Sequence, residues 1–277
     1  SGAQSETDFT FGGNYKDILF VGGSLAFQGV RFFEKGIYRE EFEQGEPLNN
    51  LSFQENIRAD GTGVGLKLGF IIKPADWVRL GAAYHTRTVI SMRETYDTRV
   101  TTSLTNGTSY DEASPVLVTN YNLRTPARIM ANAAFVLGKV GVIAVDYEFT
   151  DYNAMNMKGT GENSSYNYDI ENETIDKIYR GTHRVSAGME WRVAKVWYLR
   201  GGAMYQQSPF IDGVANNDPT ISYNGGIGYR NDYFFIDLAA GYQTRDQIYY
   251  MYKTDETTPA SIQTKVLRTM LSVGFRY

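Results

Sequence analysis

The sequence predicts an all-β protein: a transmembrane antiparallel β-barrel, with about eleven strands present of an expected fourteen. Three observations predict it. Apolar and polar residues alternate with period two, charges keep to one parity of that alternation, and the connections alternate between short and long. An alternating segment has two unlike faces, as a strand does. Mean hydropathy is negative at -0.36 although the chain holds 21 Tyr and 15 Phe. A barrel that turns every second residue to water has this composition. No run approaches the ~20 apolar residues that a membrane helix requires.

Strands are expected to begin near Thr7, Ile18, Leu51, Val78, Tyr121, Gly141, Thr182, Trp197, Thr220, Tyr233 and Ile262. In the second, Leu19, Val21, Gly23, Leu25 and Phe27 share a face. In the third it is Val64, Leu66, Leu68, Phe70 and Ile72, with Lys67 on the other parity. Val78, Leu80, Ala82 and Tyr84 stand opposite Arg79 and His85 in the fourth. Ile129, Ala131, Ala133, Phe135 and Leu137 oppose Arg128 and Asn132 in the fifth. Ile143, Val145, Tyr147 and Phe149 oppose Asp146 and Glu148 in the sixth. Val185, Ala187, Met189, Trp191 and Val193 oppose Arg184, Glu190 and Arg192 in the seventh. Trp197, Leu199, Gly201, Ala203 and Tyr205 oppose Arg200 in the eighth, and Phe234, Ile236, Leu238, Ala240 and Tyr242 oppose Asp237 in the tenth. The last strand sets Leu267, Leu271, Val273, Phe275 and Tyr277 against Arg268, Met270 and Arg276. A Lys or Arg on a lipid face near the bilayer midplane costs roughly 2–4 kcal/mol. A one-residue slip would impose that cost on strand after strand, so the register is strongly specified.

Short polar connections fall at 14–17, 73–76, 138–139, 193–196 and 230–232, and long ones at 35–50, 96–120, 151–181, 208–219 and 254–261. Short turns at one end and long loops at the other are the layout of an outer-membrane barrel. Trp191 and Trp197 flank one short turn on the apolar parity, as an interfacial aromatic girdle requires. A complete bacterial barrel has an even strand count. Residues 1–277 are therefore expected to be the C-terminal part of a single barrel domain whose first strands lie outside the sequence.

Net charge is -4 and there is no cysteine. A near-neutral chain lacks the basic surface a nucleic-acid partner demands, and no disulfide or thiolate metal site can form. On the inward parity, Phe20, Ile71, Met130, Met204, Phe235 and Met270 are apolar. Methionine is polarisable and adapts to varied ligands, so Met130, Met204, Met270 and Phe235 are candidate ligand contacts; packing against a plug is the alternative. The long loop at 151–181 carries Ile170, Ile175 and Ile178, further candidate ligand contacts, and its stretch NETIDKIYR reads as a short amphipathic helix. Leu117, between Val116 and Val118, is apolar for a solvated tip. Arg128, Asp146, Glu148, Arg184, Glu190 and Arg200 share the inward face as a lumenal charge network. Asp146 and Glu148 could also be an acid/base pair. No spacing assembles a nucleophile with His85 or His183, so no catalytic residue, cofactor or metal is expected.

GTGVGLKLGFIIKPADWVRLGAAYHTRT, YNLRTPARIMANAAFVLGKVGVIAVDYEFTDYNAM and HRVSAGMEWRVAKVWYLRGGAMYQQSPF, in that order, resemble the FadL/TodX-type (OMPP1) outer-membrane transporters. The resemblance spans roughly Gly61 to Phe210. It implies a fourteen-stranded monomeric barrel in a Gram-negative outer membrane, in contact with its lipid, with an N-terminal hatch expected to lie outside residues 1–277. It also implies uptake of long-chain fatty acids or other hydrophobic small molecules, captured by loops and passed to a site inside the barrel. Arg87 departs from a family pattern that often has proline there. A barrel with a structural or partner-binding role in secretion is the alternative, and a membrane-embedded hydrolase a remoter one.

Overall fold

The computed structural model describes residues 1–43, 47–161, 166–213, 217–249 and 258–275. The terminal Arg276 and Tyr277, and residues 254–257 of the last expected loop, lie outside them. The chain forms one antiparallel sheet of fifteen strands. These are β1 (Gly2–Tyr15), β2 (Leu19–Glu41), β3 (Leu48–Ala75), β4 (Val78–His85), β5 (Val89–Leu104), β6 (Ser109–Ala113), β7 (Leu117–Arg124) and β8 (Arg128–Leu137). After them come β9 (Gly141–Asp151), β10 (Asn156–Gly159), α1 (Asp169–Ile178), β11 (Gly181–Arg192), β12 (Trp197–Gln206), β13 (Thr220–Arg230), β14 (Phe234–Tyr249) and β15 (Ala260–Phe275).

Strands β4 and β5 are one stave broken once, as are β7 and β8, while β6 and β10 belong to long connections. The wall thus has eleven staves among the described residues, the expected number. Among the described residues β1 pairs only with β2 and β15 only with β14, so the sheet described keeps two free edges.

The expected faces hold row by row. Directly opposed residues of an antiparallel pair share a face. Leu25 opposes Leu66, Tyr84 opposes Leu68 and Ile129, Val145 opposes Ala133 and Ala187, and Leu238 opposes Ile227 and Leu271. Those side chains are not hidden between two layers: Leu66, Val145 and Leu271 are 40%, 41% and 67% exposed. The whole chain exposes 18925 Å², against about 12,000 Å² for a compact soluble protein of this mass. Only a solvent that welcomes apolar surface makes such an area stable.

The short turns need left-handed backbone. Lys16 and Asp17 (φ 53° and 54°) close β1–β2, and Gly138 (φ 58°) closes β8–β9. At the same end, Trp197 meets Tyr229 edge-on at 5.2 Å and Trp77 stacks on Phe135 at 6.2 Å, which completes the girdle begun by Trp191.

Two expected loops are corrected. The connection at 35–50 shrinks because β2 pairs with β3 without interruption up to Glu41 opposite Asn50. That at 96–120 is mostly strand, since β5 runs on to Leu104 and folds back through β6 into β7, which includes Leu117 and Val118. Above a membrane both faces of a strand are wet, so the alternation fades while the backbone ladder continues. The two breaks, at Thr86–Thr88 and 125–127, lie side by side and are stitched together. Thr125 N–H donates to the Thr88 carbonyl (2.9 Å), and Thr88 N–H donates to Thr125 Oγ1 (3.0 Å).

Candidate functional site: a track along the lumenal face

The inward parity lines the polar face of the wall, and three adjoining depressions run along it. The first, ≈ 420 Å³, has Phe20 and Ile71 on a floor of Gly22, Gly69 and Ala83. It shares Lys67 and His85 with the second, ≈ 400 Å³, which is polar and includes Glu6, Arg128, Glu148 and Arg184. Arg184 also borders the third, ≈ 540 Å³, where Met204 and Met270 sit over Ala144, Gly188, Gly202 and Ala239. Small residues open this last depression: a larger side chain at any of them would project into it. The track is apolar at both ends and charged in the middle.

The charges form two groups rather than the single network expected. In the middle of the track, Lys67 bridges Glu6 and Asp8 (3.0 Å to the latter), and Asp8 accepts from Ser24 Oγ at 3.1 Å. Arg184 lies 4.0 Å from Glu148. Nearer the short turns, Arg200 links Glu190 (2.6 Å) to Asp237 (2.8 Å), and Arg230 also reaches Asp237 at 3.2 Å. Arg230 lies over the rings of Tyr198 and Phe235, 5.1 and 5.8 Å from their centroids. Arg128 and Asp146 share the inward face but have no ion-pair partner among the described residues. Parity placed them correctly; it carries no information on the distance across staves, which decides pairing.

Of the candidate ligand contacts, Met204 and Met270 come together in the third depression. Met130 stands apart, opposite Ala83 and Glu148, and Phe235 lies low in the wall opposite Gly274. Helix α1 forms where NETIDKIYR predicts it. Ile175 and Ile178 are half-buried, whereas Ile170 projects at 71% exposure. The helix is held to the wall by its first residues: the Tyr168 ring, buried and left-handed (φ 58°), lies 5.5 Å from that of Tyr121. Tyr121 donates in turn to Glu94 at 3.0 Å. With Ala59, Ile90 and Met92 these two tyrosines make the one buried apolar cluster among the described residues. Leu117 faces inward at the loop end, opposite Tyr96.

Lys67, Glu6, Asp8, Asp237 and Arg230 were missed as members of the charged groups. The available signal was their parity, since Glu6, Asp8 and Thr10 alternate with Thr7, Phe9 and Phe11. His85 points inward while Ser91 faces outward, bonded to Asn122 at 3.0 Å, so these two side chains lie on opposite faces.

Residues 27–277 match the family described as outer membrane protein transport protein (OMPP1/FadL/TodX). Among solved structures, a FadL homologue of Pseudomonas aeruginosa superposes with a TM-score of 0.64 at 17% identity, over 98% of this chain and 66% of its own. The Ralstonia pickettii toluene transporter TbuX gives 0.60 at 15% identity, covering 100% of this chain and 69% of its own. The CymD monoaromatic hydrocarbon channel gives 0.60 at 15%, covering 98% and 72%. At these identities the likeness shows the fold: the wall of a β-barrel. No curated protein matches the chain in sequence.

Proposed function

The chain belongs to the OMPP1/FadL/TodX family of outer membrane transport proteins, which are channels and not enzymes, and from that premise we propose that it passes long-chain fatty acids through its lumen. The observation that carries this reading is the arrangement of the third depression. Met204 and Met270 offer an adaptable apolar floor, and Arg184 and Arg268 stand at its margin, where a carboxylate would be met by guanidinium. Toluene, the substance named for TbuX, has no such head and would use the apolar floor alone. In this reading Ile170 and Leu117 lie at the capture end of the route. Pairing β1 and β15 with further strands would seal the cylinder, since an unpaired edge is not tolerated in hydrocarbon; the solved relatives are long enough to supply them. The sealed barrel would act as a monomer.

Equilibrium binding of oleate and of toluene to the full-length protein, native and Arg184→Gln, tests the assignment. A hydrogen bond to a charged group is worth about 1.5–3 kcal/mol. The variant is therefore expected to bind oleate at least about tenfold more weakly and toluene unchanged. Equal loss for both ligands, or no binding of either by the native protein, overturns it.

A further inference from the structure

A second site lies on the opposite face of the wall. The outward apolar rows of β2, β3 and β5 end at Phe27, Val64 and Val89, which oppose one another in register. The next row is Gly29, Thr62 and Ser91, and the one above it is Arg31, Asp60 and Arg93. Arg58 follows two residues along β3 on the same side. Four residues of strand at a ~45° tilt rise about 9 Å, so this charged row stands at headgroup height above the last lipid-facing row.

Two guanidiniums share one carboxylate there, and a third stands beside it. Arg31 Nε lies 3.2 Å from Asp60 Oδ1 and Arg58 Nε 3.4 Å from Oδ2, with the two arginine side chains 73% and 63% exposed. Arg93, directly opposite Asp60 on the other side, has no ion-pair partner among the described residues. Neighbouring strands are about 4.8 Å apart, which puts the Arg31 and Arg93 backbones roughly 10 Å from each other. Between and below them the side chains are small, Ser5, Gly29, Thr62 and Ser91, and leave a trough of ≈ 850 Å³ against the wall. Higher on the same face the row of Lys35, Asn56 and Asp97 carries one charge of each sign, and Arg99 is matched by Asp111, so the surplus of positive charge is concentrated on the row nearest the membrane.

We infer that this trough holds the phosphorylated headgroup of an outer-leaflet lipid, with Arg31, Arg58 and Arg93 binding phosphate and the lipid's chains lying on the apolar rows below. Guanidinium matches phosphate oxygens with two parallel donors. A free anion would have no use for the continuous apolar surface that begins one row beneath. The site is separate from the lumenal track, because every side chain it uses belongs to the other parity.

The test is binding of lipid A to the full-length protein in detergent, native, with Arg31, Arg58 and Arg93 all changed to Ala, and with Asp60→Asn. Each cation near an anionic surface is worth about fivefold, so the triple variant is expected to lose about a hundredfold in affinity, while Asp60→Asn binds more tightly than native. Oleate binding should be unchanged in both, which also reports that they fold. Micelles of phosphatidylcholine should not bind competitively, and inorganic phosphate at the same phosphorus concentration should displace little. Lipid A binding that is indifferent to all four residues, or equal competition by inorganic phosphate, overturns the inference.

Discussion

Single residues act in this wall through the face they occupy and the partner they meet. Asp212 illustrates the second. It lies in the connection between β12 and β13 and accepts from Asn217 at 2.7 Å and from Arg180 at 3.0 Å. These bonds, Asn217 first and Arg180 after it, hold its carboxyl below its ordinary value of 3.8. A carboxylate depressed in the folded state contributes stability that is complete above its unfolded pKa and is lost as pH falls through the folded one. The tie between this loop and the residue preceding β11 is thus expected to persist through neutral and mildly acidic pH and to release only below about 3.8. Hydrogen exchange of the Arg180 and Asn217 amides as a function of pH checks it; release already at pH 5–6 contradicts the assignment. Arg128 shows the first kind of effect. Its parity and its inward position were both legible in the sequence, but its lack of an ion pair among the described residues was not.

At the scale of the element, each stave is a two-faced object whose tolerance to charge changes from one residue to the next. Val145 lies near the middle of β9 on the outward face, and Asp146, its neighbour, faces the lumen opposite Asn132 and Ser186. Val145→Lys should cost about 2–4 kcal/mol in a bilayer, while Asp146→Lys, one position away, should cost under about 1 kcal/mol. Urea unfolding from lipid vesicles measures both. Equal costs would mean that the two faces are not lipid and water. The breaks in the wall belong to this scale too. Thr86–Thr88 is β-branched at two of its three positions, as a strand could be, yet the ladder is interrupted there between β4 and β5. It is the neighbouring chain, with Pro126 unable to donate to a ladder, that makes the interruption extend across two staves.

For the whole molecule the governing quantity is exposed apolar area. A wall of this extent, apolar on one face, is stable only where that face meets hydrocarbon. Its position in the bilayer is set by the girdle. Trp77, Trp191 and Trp197, the chain's 3 tryptophans, all lie at the short-turn end. Tryptophan fluorescence of the protein in vesicles is therefore expected to be quenched more by lipids brominated near the headgroup than by lipids brominated near the chain ends. Quenching that peaks at the bilayer centre would displace the membrane from the rows assigned to it here.

The sequence by itself determined the face of nearly every membrane-level residue, the number of staves and the end at which the short turns lie. All three follow from a local rule, that side chains along a strand alternate and that a charge in hydrocarbon is expensive. Only the tertiary structure decided which lumenal side chains meet. Lys67 reaches Glu6 and Asp8 across an intervening stave, and Met204 joins Met270 across two. Such contacts depend on the stagger and curvature of the sheet, quantities that no single strand encodes. The same is true of the strands' continuation beyond the bilayer: there both faces are wet, and only the pairing of backbones distinguishes a ladder from a loop.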